Sequence, residues 1–332
     1  MSLFKLTIEG IDRTTVVDQR LIDLTLTDKR GMEADELSIT LSDHDAALPL
    51  PSKGNTIQLW LALPNGQLVD KGSYVIDEAE HSGTPDQMMI KAKSADMKGT
   101  LKVKRSESHH RTTLGALAKT YADRHDLKLA ISTDAAAIDI EHLDQTSESD
   151  MNVLTRLARE HDLLASVKHG RLTITQAASG KNASGTPIPS ITLTRASGDQ
   201  HRYGRADRDS DYDGASASHH DTKTGKTKTV HVDKDGKEKP ATDSPKPQVI
   251  SKPAHSEKHA KQKAHAKAKQ IARQVATFDL TLALARPDLT PDTPVKVQGF
   301  RPYIDQHPWT LIEATHNLSG SGYQTSLKME SA

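Results

Sequence analysis

The chain contains no cysteine. This removes disulfides, thiolate zinc sites and cysteine nucleophiles in one step, and it fits a reducing compartment. Aromatic residues are also scarce, with three Phe, two Trp and six Tyr in 332 residues. Aromatics bury the most area per side chain, so the expected cores are small and aliphatic, with part of the apolar surface covered only in an assembly. Charge of one sign is missing too: 44 basic residues balance 44 acidic ones. No overall field draws the chain to nucleic acid or to an anionic membrane, and any such contact has to be local. No apolar run approaches the roughly 18 residues that a membrane-spanning helix needs. The opening MSLFKLTIEG lacks a charged leader followed by an apolar core and a cleavage site. The expectation is a soluble protein without a visible export signal or membrane insertion.

The length exceeds the roughly 100 to 200 residues of a usual domain, so two or three domains are expected. From residue 3 to about 95 the apolar pattern has period two. Ile22, Leu24 and Leu26 alternate with polar residues, as do Leu37, Ile39 and Leu41, and then Ile57, Leu59, Leu61 and Leu63. Such runs are half-buried strands. Pro64, Asn65 and Gly66 form a tight turn, since Asn and Gly tolerate positive φ. Several short strands separated by turns predict a β-sandwich or barrel.

From about residue 112 the period changes. Leu114, Leu117, Ala118 and Tyr121 fall on one helical face, and a second helix begins near Asp150, whose carboxylate is expected to cap it. Short strands at 164–167 and 172–175 follow, and an Ala/Gly/Ser/Pro cluster at 177–190 closes this α+β region. Strand signals resume at 191–194. Between 210 and 254 almost the only larger aliphatics are Val230, Val232, Val249 and Ile250, which predicts a long solvated loop or flexible insertion. Residues 254–276 then read as a helix with a narrow stripe of Ala260, Ala264, Ala268, Ile271 and Val275, expected to lie along a barrel surface. Alternation returns at Phe278, Leu280, Leu282 and Leu284 and ends in a hairpin turning at 319–322. The expected fold is mainly β with an α+β insertion. Two β-barrel-like domains, at 1–100 and 187–332, flank an α+β domain at 101–186, and the second barrel is split by a Lys/His-rich insertion at about 210–276.

Several short patterns invite a chemical reading. Gly225, Lys226 and Thr227 match the end of a phosphate-binding loop, but the glycine required five positions earlier is His220 and no apolar strand precedes it. Asp209, Asp211, Asp213 and Gly214 match the first half of a calcium loop, whereas His220 replaces the bidentate Glu at its end; a polar turn is expected. His255 and His259 stand at i, i+4, as two metal ligands on one helix would. Lysines 252, 258, 261 and 263 crowd them and Glu257 is the sole nearby carboxylate in sequence, so solvated helix surface is expected. Residues 252–273 carry seven Lys or Arg against one Glu, enough to touch phosphate or an acidic protein face. No aromatic interleaves as a stacking platform. No nucleophile elbow and no distinct carboxylate pair are evident, so no residue receives a catalytic, cofactor-binding or metal-ligating role and no cofactor is expected.

Three stretches together go beyond periodicity: QTSESD-x-x-VLTRLAREHDL at 145–163, ARPDLTPDTPVKVQGF at 285–300, and WTLIEATHNLSGSGYQTSL at 309–327. In this order they resemble the late control protein D family, the central baseplate hub of contractile-tail phages, related to the spike proteins of type VI secretion. The resemblance covers about 3–206 and 278–330. It implies a non-enzymatic virion protein, assembled in the bacterial cytoplasm: a homotrimer whose two related barrels per chain join a central spike to a sixfold tail tube and other baseplate proteins. It also implies a channel wall that avoids strong positive potential. The alternative function is a nucleic-acid-associated protein acting through the basic segment at 252–273; a lytic domain finds no room beside the resemblance.

Overall fold

The computed structural model describes residues 2–95, 99–205, 212–221, 224–240, 246–273 and 276–331. Within them the period-two runs become strands of one large sheet. Its thirteen strands follow the order Gly198–Arg205, Ala276–Leu282, Gly322–Ser331, Trp309–Ser319, Leu21–Lys29, Glu36–Ser42, Gln87–Ser94, Leu68–Ser82, Thr56–Ala62, Phe4–Ile8 and Ile11–Asp12, with Ile191–Thr194 and Pro294–Gln298 as a side branch. The two barrel-like β units flanking the α+β module are therefore hydrogen-bonded into one sheet. The joint is the antiparallel pairing of residues 313–319 with 23–29. Each unit keeps its own core. Phe4, Leu24, Leu26, Ile39, Leu59 and Tyr74 fill the first. Phe278, Leu280, Trp309, Leu311 and Met329 fill the second, where the Phe278 and Trp309 rings lie 5.4 Å apart. The last long strand but one serves both, because Leu318 packs in the first core while Trp309 and Leu311 pack in the second.

Two positions expected to face inward are exposed. At Ile22 a register shift between Leu21 and Asp23 interrupts the ladder, and the side chain turns outward to 38% exposure. A bulge adds one residue to one strand and so shifts the face on which its neighbours lie. Leu284 is exposed because its strand ends at Leu282. The turn at Gly66 is as expected, with φ +86° and its N–H donating to Leu63 O at 2.8 Å.

The α+β module holds the helices Leu114–Arg124 and Asp150–Glu160 over a three-stranded sheet of Leu163–Lys168, Arg171–Gln176 and Lys128–Ile131. It also holds a long antiparallel strand pair, Lys104–Thr113 with Asp139–Ser149, that periodicity does not reveal. The first of these strands, KRSESHHRTT, has no buried residue, so no apolar alternation marks it.

Three expectations are overturned here. The helix after residue 149 is capped by Ser149, whose Oγ accepts from Asn152 N at 3.3 Å, and Asp150 instead points inward and is fully buried. The segment expected to be a solvated loop is a folded unit. Its strands Gly214–Asp221, Lys226–Asp233, Glu238–Lys239 and Pro247–Ala254 form a four-stranded sheet covered by the helix Glu257–Arg273. Its core is built from Ala215, Ala217, Val232, Ala254, Ala260, Ala264, Ala268 and Ile271. Alanine faces allow a helix to approach a sheet closely, so little bulk is needed to exclude water. A search for large aliphatics cannot see such a core. The helix lies on this small sheet and against the α+β module, not along a barrel; Val275 lies outside the described residues. Among the described residues no helix is long and apolar enough to cross a membrane.

Candidate assembly site: the three-way junction

Asp28 occupies the inward face of Leu21–Lys29, the face that carries Leu24 and Leu26. A carboxylate there needs partners, because an unpaired buried charge costs several kcal/mol. They come from three parts of the chain. Lys71, from the first β unit, places Nζ 3.1 Å from Asp28 Oδ2 and donates to Pro287 O, in the second β unit, at 3.2 Å. Lys168, ending a strand of the α+β module, reaches the other oxygen of Asp28 and also Asp35 Oδ1 at 3.0 Å. Burial opposes ionisation of Asp28, but Lys71 and Lys168 outweigh it and hold its carboxyl below the usual range. Asp35 moves the other way, raised by burial and by the charge of Asp28. Beside this cluster Arg30 Nε donates to Asp292 Oδ1 at 2.6 Å, and the same guanidinium meets Glu330. The two β units and the α+β module thus meet at one ionic knot.

A second knot stiffens the α+β module. Asp150 accepts from Gln145 Nε2 at 2.8 Å and Arg124 NH1 at 2.9 Å, and lies 2.8 Å from His125 Nε2. Burial alone would raise its pKa; the donors from Gln145, His125 and Arg124 win and hold the carboxyl below the usual range. Arg124 continues to Glu107 at 2.9 Å, and Tyr121 donates to Gln145 Oε1 at 2.9 Å. Thr100 Oγ1 lies 3.1 Å from His125 Nδ1, which gives the hydroxyl–imidazole–carboxylate order of a nucleophilic relay. The imidazole is buried and Arg124 pairs with the same carboxylate, so the contacts tie Thr100, Arg124 and His125 to Asp150.

The basic helix is mostly neutralised within the chain. Lys258 pairs with Asp139 at 2.8 Å, Lys261 with Glu238 at 3.1 Å, Lys263 with Glu160 at 3.3 Å, and Arg273 with Asp162 at 2.8 Å. Three of these pairs dock the insertion onto the α+β module, and Lys261–Glu238 ties the helix to the insertion's own sheet. Gly225 is a turn residue, with Lys226 and Thr227 opening a strand, so no phosphate loop forms. Of the calcium-like pattern, Asp209 and Asp211 lie outside the described residues, and Gly214 begins a strand. His255 and His259 do come together, their rings stacked with centroids 5.6 Å apart, and His259 also faces Glu160 and His161 of the α+β module.

Comparison with known proteins matches residues 34–322 to the family model described as "Phage tail baseplate hub (GPD)". A probable baseplate hub protein of Escherichia phage 186 is 40% identical over 98% of this chain and 92% of its own length. The chain belongs to the phage tail baseplate hub family. Among solved structures, a 43 kDa tail protein of prophage MuSo2 from Shewanella oneidensis superposes with a TM-score of 0.70 at 14% identity, covering 98% of this chain and 97% of that one. An E. coli component of the type VI secretion system, described as similar to bacteriophage T4 tail proteins gp27 and gp5, gives a TM-score of 0.57 at 14% identity over 99% of this chain and 77% of that one. These two likenesses concern the fold.

In this baseplate hub protein the three stretches that carried the resemblance all sit at joints. The first supplies Glu160 and Asp162, which pair with Lys263 and Arg273 of the insertion; the second supplies Pro287 and Asp292 to the ionic knot; the third is the strand that joins both β units. Sequence reasoning passed over Asp28, Lys71 and Lys168. The available signal was Asp28 continuing the inward series of Leu24 and Leu26.

Proposed function

We propose that this baseplate hub protein acts as a homotrimeric adaptor joining the central spike to the sixfold tail tube. The observation that carries the reading is the rigid coupling of two β units in one chain, through the shared sheet and the Asp28–Lys71–Lys168 knot. Three such chains present six β units at fixed spacing, so one ring offers quasi-sixfold symmetry to a tube and threefold symmetry to a spike. On this reading residues 1–100 and 187–332 are the ring-forming divisions and 101–186 braces them. Exposed apolar side chains favour a partner at one end of the first β unit, where Leu3, Val16 and Leu68 are 45%, 42% and 43% exposed. Function is then geometric and non-enzymatic: contacts around a closed ring convert one symmetry to another. The channel wall is expected to exclude the helix Glu257–Arg273, since phosphates passing through must not stick.

The test is solution mass by light scattering, for the chain alone and co-expressed with its spike. Three chains of 36.2 kDa give about 109 kDa. A monomer in both samples overturns the reading. Filter binding to DNA across a salt series separates the alternative: tight, steeply salt-dependent binding would favour nucleic-acid association.

A further inference from the structure

The helix Asp150–Glu160 ends at Glu160, and His161 is its C-cap residue. Across from this end the helix Glu257–Arg273 begins, with His259 in its first turn. One carboxylate oxygen of Glu160 and one ring nitrogen from each of His161 and His259 lie within 4.8 Å of one another, and all three residues are half-buried. The two imidazoles face each other, with centroids 6.2 Å apart and planes inclined by 21°. The His255 ring stacks on the other side of this group, 5.6 Å from His259, and each neutral imidazole keeps one in-plane nitrogen lone pair that side-chain rotation can turn toward the carboxylate. Burial pushes both histidines below their ordinary pKa, with His259 at about 4, so at neutral pH both present the ligand form.

We propose that Glu160, His161 and His259 form a binding site for a divalent transition metal of the zinc type, which staples the insertion to the α+β module. Two imidazoles and a carboxylate are a donor set suited to zinc, whereas calcium and magnesium prefer all-oxygen shells. Bonds of about 2.0–2.1 Å place tetrahedral ligand atoms roughly 3.4 Å apart, so the set closes by about an ångström on binding. Side-chain rotation of Glu160 and His259 has to supply that closure. The fourth position is left to water. Lys263 opposes the ion: its Nζ holds Glu160 Oε1 at 3.3 Å and is displaced when metal enters. Affinity is therefore lower than at a dedicated structural site, and Lys263 sets it.

A second imidazole pair provides the internal control. His110 and His142 approach with Nδ1 atoms 2.9 Å apart, and Asp144 Oδ2 lies 2.9 Å from His142 Nε2. This group is exposed on an antiparallel strand pair of the α+β module, where the His142 ring lies 6.3 Å from His255 of the insertion, so it is the neighbouring site that binding has to be distinguished from.

The experiment is calorimetric titration of the full chain with Zn²⁺, paired with thermal unfolding with and without the ion. One Zn²⁺ per chain and a raised unfolding midpoint are expected, since a ligand that binds only the folded state stabilises it. His161→Ala and His259→Ala should each weaken binding at least tenfold, His142→Ala should leave it unchanged, and Lys263→Met should tighten it. The Lys263 variant gains affinity, so its result does not depend on whether the histidine variants fold well. Absence of saturable binding overturns the site. So does binding that His142→Ala abolishes and His259→Ala preserves, or binding that Lys263→Met fails to tighten.

Discussion

Lys71 Nζ lies 3.1 Å from Asp28 Oδ2, with both residues less than 10% exposed and 43 positions apart in the chain. The same ammonium donates to Pro287 O, so one buried cation touches both β units. Its placement makes the ionic knot a joint between units as well as a contribution to one core.

Removing one partner leaves the other charge buried. Asp28→Ala is expected to lower unfolding free energy by about 3 kcal/mol, measured by urea denaturation. Asp28→Leu with Lys71→Met should recover most of that loss, because apolar replacement of a buried pair is often neutral and Lys168 keeps Asp35. A double variant less stable than Asp28→Ala would contradict this account.

His316 gives the acid response a sign. It is fully buried, its Nδ1 lies 3.2 Å from Thr325 Oγ1, its Nε2 has no partner among the described residues, and burial, followed by the charge of Lys71, pushes its pKa down to about 3. Unfolded chains protonate this histidine near its ordinary 6.5 while the folded chain does not. Stability is therefore full above that value and falls as pH drops toward 3, by about 1.4 kcal/mol per pH unit for one proton. Urea midpoints between pH 7 and 5 should show the slope, and His316→Leu should flatten it by one proton.

At the start of the second helix, two neighbours carry unequal roles. Ser149→Ala removes a cap worth about 1 kcal/mol. Asp150→Asn leaves Arg124 and His125 without their buried carboxylate and is expected to cost about 2–3 kcal/mol. Chemical denaturation of both variants decides the order, and a larger loss for Ser149→Ala would return the cap to prominence.

Gly214 marks how closely the insertion is packed. A Cβ there would meet Val232 O at 2.1 Å, on the strand it pairs with. Gly214→Ala should separate the two strands and speed tryptic cleavage at Lys226 and Lys228 by about tenfold, while fragments from the large sheet stay protected. Unchanged cleavage would mean the strand pair tolerates the shift.

Local patterning made much of the large sheet legible. Alternation of the kind that places Leu24 and Leu26 inward needs no tertiary information, as Ile39, Leu59 and Leu61 illustrate: each sits at the period and each is buried. The same holds for Leu117 and Tyr121 at helical spacing. Where side chains lack apolar contrast the pattern fails. The polar strand pair Lys104–Thr113 with Asp139–Ser149 is held by backbone ladders and polar side chains, and the insertion's core is mostly alanine.

The order of three stretches, read as sequence, was enough to indicate the baseplate hub family, because each stretch has to satisfy a joint through its own residue types. The amino-acid sequence by itself thus determined the mainly β class, the α+β module and the family. Only the tertiary structure decided that both β units share a sheet, that Asp150 braces where Ser149 caps, and that the basic helix directs its charge to Asp139, Glu160, Asp162 and Glu238. The physical reason is range. Periodicity and capping act over a few residues, whereas the partner of a buried charge is chosen by three-dimensional proximity, as Arg30 and Asp292 show across 262 positions of chain.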